Sequence, residues 1–236
     1  MSRWHEELVD VAPGTRLETV FKGTTSSGST TRLAFIAHPL GRLGGTYNDY
    51  VVREVAKRLL VDHNYTVVLM NSRGVGKSQG WASFSGIAEA EDYQAVTRHY
   101  LERFNDAKEV LFCGYSAGSL SASYCDPLEQ VKTRYLLISY PLSALWALTL
   151  FRTSPFSDKL SNIVRNGETP LLSIRGDQDQ FTADKKYSVW ETEQSRIGDN
   201  STFFKVEGAD HFWSNKEHLQ TMLDKISTWL SAGTTA

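Results

Sequence analysis

The sequence predicts an α/β protein whose largely parallel sheet is covered by helices on both faces. Short apolar or β-branched segments recur along the 236 residues, as is typical of buried strands. Segments with apolar residues at helical spacing lie between them, and this alternation indicates strands joined by helical crossovers. The length suits a single domain over residues 1–236, with room for only a small insertion.

The first half of the chain contains three predicted strands and two predicted helices. The strands cover residues 17–22, 32–37 and 65–70. A polar, hairpin-like stretch at 24–30 joins the first two strands. Apolar residues recur at helical spacing over 51–60 and 87–101.

The second half contains four further predicted strands and a closing helix. The strands cover residues 110–113, 134–139, 170–174 and 202–206, and the helix covers 214–230. Residues 140–168 interrupt the alternation, and their first part is rich in Leu, Trp and Phe. In an open α/β sheet this connection lies where ligands bind, so the segment is either a small cap over a pocket or an ordinary amphipathic crossover helix.

Composition argues against several functional classes. The 25 basic and 27 acidic residues give a formal charge of −2 and are interleaved, so no nucleic-acid surface is expected. No segment is long and apolar enough to span a membrane and no secretory signal is visible, so a cytoplasmic protein is expected. Two cysteines, with no C-x-x-C or H-E-x-x-H motif, indicate neither a disulfide scaffold nor a metal site. The oligomeric state is not readable from the sequence.

The pentapeptide Gly114-Tyr115-Ser116-Ala117-Gly118 directly follows a predicted strand and fits the G-x-S-x-G nucleophile elbow. In such an elbow a serine lies in a strained turn between a strand and a helix. Both glycines are needed because a Cβ would clash where strand and helix approach each other. The helix that begins near Ala117 places unpaired N–H groups beside the Ser116 hydroxyl. Ser116 is therefore the predicted nucleophile.

A serine nucleophile requires a base, and the base requires an orienting carboxylate. Two histidines lie downstream of Ser116. His211 follows the last strand in a glycine-containing loop, whereas His218 falls on the polar side of the last helix, so His211 is the predicted base. Asp177 and Asp179 both follow the strand before it, and either could instead cap the turn.

These motifs resemble those of the α/β-hydrolase fold superfamily of serine hydrolases, and the resemblance covers residues 31–229. The superfamily's Gly-x-x-Asp pattern matches residues 176–179 and so implies Asp179, rather than Asp177, as the acid. Its Gly-x-x-His pattern ends at His211.

The glycine-rich loop at 71–78 matches the superfamily pattern Asn-x-Arg-Gly-x-Gly-x-Ser. A phosphate-binding loop would need glycine at position 71, where this chain has Asn, so phosphate binding is not expected. Arg73 is expected to buttress the loops of the active site.

The resemblance also implies an oxyanion hole, which needs two N–H donors. One is the backbone of Ala117. Many relatives have His-Gly in the loop that supplies the other donor, but this chain has Pro39, which lacks an N–H, so Leu40 is the second expected donor. His38 is expected to brace this loop.

The implied activity is hydrolysis of a small-molecule carboxylic ester or thioester through a Ser-His-Asp triad and an acyl-enzyme, without a cofactor. The alternatives are a non-catalytic ligand-binding or receptor protein on the same fold and a serine peptidase. The expected pocket residues are His38, Tyr115, Trp146 and Phe212.

Overall fold

A computed structural model describes residues 3–23 and 32–232, which form eight strands and seven α-helices. The predicted stretch at 24–30 lies outside the described residues. The strands are β1 (His5–Ala12), β2 (Thr15–Lys22), β3 (Arg32–Ala37), β4 (Thr66–Met70), β5 (Glu109–Tyr115), β6 (Lys132–Ile138), β7 (Leu171–Gln178) and β8 (Ser201–Asp210). The helices are α1 (Tyr50–Asp62), α2 (Ile87–Arg103), α3 (Gly118–Tyr124), α4 (Leu145–Leu148), α5 (Ser154–Asn166), α6 (Asp184–Ile197) and α7 (Lys216–Ala232).

The eight strands form one sheet in the order β1-β2-β4-β3-β5-β6-β7-β8. The pairs from β4 to β8 are all parallel, whereas β2 runs antiparallel to both β1 and β4. The predicted α/β class with a largely parallel sheet is confirmed. Because the carboxyl ends of parallel strands share one edge, residues that follow β5, β7 and β8 are brought close together.

Both faces of the sheet are covered by apolar layers. Side chains of α1 and α7 form one core with the sheet, and those of α2, α3 and α5 form the other. The central strand β5 is buried along its whole length. Cys113 in β5 and Cys125 are unpaired and buried, and burial raises the pKa of both thiols.

Two elements were not predicted from the sequence. Strand β1 fully buries only Val9 and exposes the charged residues Glu6 and Asp10, since it is an edge strand that pairs only with β2. Helix α6 is largely solvated and fully buries only Tyr187 and Gln194, so its apolar spacing is weak.

The segment at 140–168 divides into two parts. Helix α5 buries Phe156, Leu160, Ile163 and Val164 against the sheet and is therefore an amphipathic crossover helix. Helix α4 is a single turn of four residues with no fully buried side chain. No described helix is long and apolar enough to cross a membrane.

The glycine-rich loop at 71–78 is held by the buried carboxylate of Glu18 in β2. This carboxylate accepts hydrogen bonds from the Tyr47 hydroxyl, the Asn71 amide and the Lys77 backbone N–H, at 3.1, 2.9 and 2.8 Å. Gly76 has a positive φ of 58°, and a Cβ there would lie 2.4 Å from the Glu18 carboxylate. The loop therefore encloses a carboxylate of the protein itself.

Replacement of Glu18 by Gln should destabilise the protein by about 1–3 kcal/mol at pH 7, because buried donors lose a charged acceptor. Burial alone would raise the pKa of Glu18, but the bonds from Lys77, Asn71 and Tyr47 hold it below its ordinary value. Because the pKa of Glu18 is lower in the folded than in the unfolded protein, its ionised carboxylate stabilises the fold at pH values above the unfolded-state pKa. This stabilisation is lost as the pH falls through the folded-state pKa. The difference between wild type and Glu18→Gln in urea unfolding should therefore shrink at acid pH, and a constant difference would contradict this account.

Candidate active site

Three predicted site residues lie directly beyond the carboxyl ends of three parallel strands. Ser116 follows β5, Asp179 follows β7 and His211 follows β8. The strand order places β5, β6, β7 and β8 side by side, so the sheet itself gathers residues that are far apart in the sequence.

Ser116 lies in a tight turn between β5 and α3 with a left-handed φ of 53°. Glycines flank it where backbones meet, because a Cβ on Gly114 would lie 2.2 Å from the Gly118 carbonyl oxygen. A Cβ on Gly118 would lie 2.4 Å from the carbonyl oxygen of Ala37 in β3. Only glycine allows α3 to begin this close to the sheet.

A continuous hydrogen-bonded chain joins the three side chains. The Ser116 Oγ lies 2.9 Å from His211 Nε2, and His211 Nδ1 lies 2.7 Å from Asp179 Oδ2. With His211 neutral, Nδ1–H donates to the carboxylate and Nε2 accepts from the serine hydroxyl. His218 lies on α7 and does not line the cavity at Ser116.

The carboxylate of Asp179 is fixed by further hydrogen bonds. Its Oδ1 accepts from the backbone N–H groups of Phe181 and Thr182 at 2.8 and 2.9 Å, and the Tyr187 hydroxyl lies 3.3 Å from Oδ2. The carboxylate of Asp177 instead accepts from the N–H of Gly208 at 2.7 Å. Of the two candidate acids, the structure places Asp179 at His211.

The loop that carries His211 is held against the neighbouring strand ends. The Tyr115 hydroxyl donates to the His211 carbonyl at 2.9 Å, and the His211 N–H donates to the Gln180 side chain at 3.0 Å. A Cβ on Gly176 would lie 2.0 Å from the Ala209 carbonyl oxygen, so glycine in β7 lets β8 approach. These contacts fix the backbone that carries the imidazole.

Two backbone N–H groups lie beside Ser116. In the described part of the chain, the amides of Leu40 and Ala117 donate to no protein acceptor, and both residues line the same cavity as Ser116. The turn that presents Leu40 is closed by bonds from Leu43 and Gly45 to the Leu40 carbonyl. A Cβ on Gly45 would lie 2.2 Å from the Pro39 carbonyl oxygen, so glycine is required for this turn.

His38 is buried behind this loop rather than in the cavity. Its Nε2 accepts from the Ser72 backbone N–H at 3.0 Å, so Nδ1 carries the proton and donates to the Pro39 carbonyl at 2.5 Å. Burial lowers the pKa of His38 to about 4, so the ring is neutral at pH 7. His38 thus links the strand ends of β3 and β4, and the expectation that it lines the pocket is not met.

A cavity of about 370 Å³ opens above Ser116. Its walls are mostly apolar and include the predicted residues Tyr115 and Phe212. Trp146 does not line it; the indole is 53% exposed and packs on Phe151, with ring centroids 5.3 Å apart. The expectation for Trp146 fails because residues two apart point to different sides of a helix, and α4 turns Leu148 towards the cavity instead.

Comparison with known proteins gives no family profile that matches the chain. An uncharacterised protein of Rickettsia prowazekii is 28% identical over 211 residues, which cover 86% of this chain and 80% of that protein. An α/β serine hydrolase homologue from Coxiella burnetii superposes with a TM-score of 0.73 at 23% identity, covering 100% of this chain and 99% of the other. An α/β serine hydrolase without a lid from Xanthomonas campestris gives a TM-score of 0.75 at 21% identity, with coverage of 100% and 97%.

The chain has the α/β-hydrolase fold. The predicted superfamily resemblance is therefore confirmed at the level of the fold. Strand β1 and helix α6, which were not predicted, lie towards opposite edges of the sheet.

Several cavity residues could not be found from the sequence. Asp49 and Phe181 line the cavity, and Tyr187 contacts Asp179 from α6. Asp49 carries a helix-capping signal before the apolar spacing of α1, but that signal does not reveal a cavity. No cluster of three His, Cys, Asp or Glu side chains within the described ranges could hold a metal ion.

Proposed function

We propose that this protein is a serine hydrolase that cleaves carboxylic esters through a triad of Ser116, His211 and Asp179. The observation that carries the proposal is the hydrogen-bonded chain from Ser116 Oγ through His211 to Asp179, at 2.9 and 2.7 Å. Two free backbone N–H groups in the same cavity support it. The serine hydrolases with a similar fold are consistent with this proposal.

In the first half of the reaction Ser116 Oγ attacks the ester carbonyl carbon, and its proton passes to His211 Nε2. Asp179 holds the Nδ1–H tautomer and stabilises the imidazolium that forms. The carbonyl oxygen becomes an oxyanion, which accepts hydrogen bonds from the N–H groups of Leu40 and Ala117. The bond to the leaving oxygen then breaks, and His211 gives that oxygen its proton.

In the second half water attacks the acyl-enzyme. His211 Nε2 takes a proton from the water, the same N–H pair holds the second oxyanion, and the bond to Ser116 Oγ breaks. The proton on His211 returns to Ser116, and the carboxylic acid leaves. No step needs a cofactor, and a thioester would react by the same sequence with a thiol as the leaving group.

The cavity favours a small ester over a peptide. Most of its lining is apolar, and amides of a peptide chain would each need a hydrogen-bond partner on burial. A non-catalytic receptor would not require an oriented imidazole between a hydroxyl and a carboxylate. Activity rather than binding is therefore the stronger proposal.

Replacement of Ser116 by Ala should abolish fluorophosphonate labelling and lower hydrolysis of p-nitrophenyl butyrate by about 10⁴-fold or more, because no nucleophile remains. The exposed Ser157 in α5 provides the matched control, and Ser157→Ala should keep both signals. Labelling that persists in Ser116→Ala would require a different nucleophile and would overturn the proposal.

The two aspartates should differ in their effect on turnover. Asp179→Asn should lower kcat by roughly 10²–10⁴-fold, because His211 loses the acceptor that selects its tautomer. Asp177→Asn should lower kcat much less, because the Asp177 carboxylate accepts a hydrogen bond from the Gly208 N–H and does not contact the imidazole. Stopped-flow kinetics on both variants, with matched circular dichroism spectra, would measure this; the reverse ranking would assign the acid to Asp177.

Leu148 and Trp146 test which side chain of α4 limits the pocket. Leu148→Ala should move the preferred acyl length of p-nitrophenyl esters upwards, with each added buried methylene gaining about 0.8 kcal/mol. Trp146→Ala should leave the preferred length unchanged, because the indole lies outside the cavity. The measurement is kcat/KM from acetate to decanoate; a shift in Trp146→Ala alone would place the acyl chain on the other side of α4.

A further inference from the structure

We propose that Asp49 makes the cavity selective for esters that carry a cationic group, such as an ammonium or guanidinium substituent. This inference rests on the proposed esterase function and names a substrate class for the same site. Asp49 and Ser116 line one cavity of about 370 Å³, so a single small ligand can contact both.

Capping of α1 occupies only one carboxylate oxygen of Asp49. Its Oδ1 accepts the N–H groups of Val51 and Val52, at 2.9 and 3.4 Å, as an N-cap requires. Asn, Ser or Thr would supply the same single acceptor without a charge. The second oxygen, Oδ2, accepts no hydrogen bond from the described residues and is not a fully buried atom, so it is open to solvent or to a ligand.

No basic side chain in the cavity balances the charge of Asp49, which is favoured only by the N-terminal end of the α1 dipole. No Lys or Arg lines the cavity, and no ion pair of Asp49 within 4.0 Å exists in the described part of the chain. Besides His211, the other lining residues are apolar, aromatic or uncharged. Burial raises the pKa of Asp49 even though two backbone N–H groups oppose the shift. An unpaired carboxylate in such surroundings costs free energy that a bound cation would offset.

The carboxylate also has a fixed position relative to the proposed oxyanion donors. The Asp49 N–H donates to the Thr46 carbonyl at 2.9 Å, directly after the turn that presents Leu40. Because Leu40, Gly45 and Asp49 line the same cavity, a substrate held by the Leu40 N–H can present a substituent to the carboxylate. A positively charged substituent would be attracted to the carboxylate, and a negatively charged one would be repelled.

The test compares esters that differ only in charge. Choline butyrate and 3,3-dimethylbutyl butyrate are isosteric on the alcohol side; the p-nitrophenyl esters of 4-(trimethylammonio)butanoate and 5,5-dimethylhexanoate are isosteric on the acyl side. The measured quantity is the ratio of kcat/KM for the cationic and the neutral ester of each pair. In Asp49→Asn, which keeps the cap, this ratio should fall about tenfold for at least one pair.

Asp62→Asn is the matched control, because it removes the same charge from the far end of α1 and should keep the wild-type ratio. Equal ratios for both pairs in wild type and Asp49→Asn would overturn the inference while leaving the esterase proposal intact. Absence of any ester hydrolysis would instead refute the proposed function. In that case the affinity for choline butyrate is measured by calorimetry for Ser116→Ala and for the double variant Ser116→Ala/Asp49→Asn. Equal affinities of the two proteins would overturn the proposed cation selectivity.

Discussion

Close approach of backbones at the carboxyl edge of the sheet is the constraint on which this structure depends. Gly118 lets α3 begin against the end of β3, and Gly114 lets the turn at Ser116 close. Gly176 does the same between β7 and β8. A side chain at any of these positions would separate elements that carry the candidate site, so the geometry of the site and the packing of the sheet have the same cause.

Three carboxylates, those of Glu18, Asp179 and Asp49, have two kinds of environment. Glu18 and Asp179 are surrounded by hydrogen-bond donors, and each fixes a loop or a ring. Asp49 satisfies one oxygen and leaves the other in an apolar cavity. Asp49 is only partly buried, but an oxygen without a protein partner in the same cavity as Ser116 is a natural place to look for a ligand.

The sequence predicted those features that depend on local pattern. Apolar strands, the glycines around Ser116 and the residues after the strand ends could be read directly, because strain and strand burial leave a local signature. Edge strand β1 and helix α6 were missed because solvated elements carry weak apolar patterns. The position of Trp146 was wrong because the phase of a four-residue helix is set by its packing, which no pattern reveals. Asp49 lines the cavity because of how the turn before α1 folds, and this tertiary placement leaves no local pattern in the sequence.

The two cysteines described within the core have a consequence for chemical reactivity. Cys113 and Cys125 are 0% and 3% exposed, and burial raises the pKa of both thiols, so little thiolate is available in the native state. Alkylation of these thiols would therefore report opening of the core, whereas phosphonylation of the proposed nucleophile Ser116 would report the native fold. With the proposed activity, one chain would carry two covalent labels that respond to opposite states, the thiols to the unfolded ensemble and Ser116 to the folded protein.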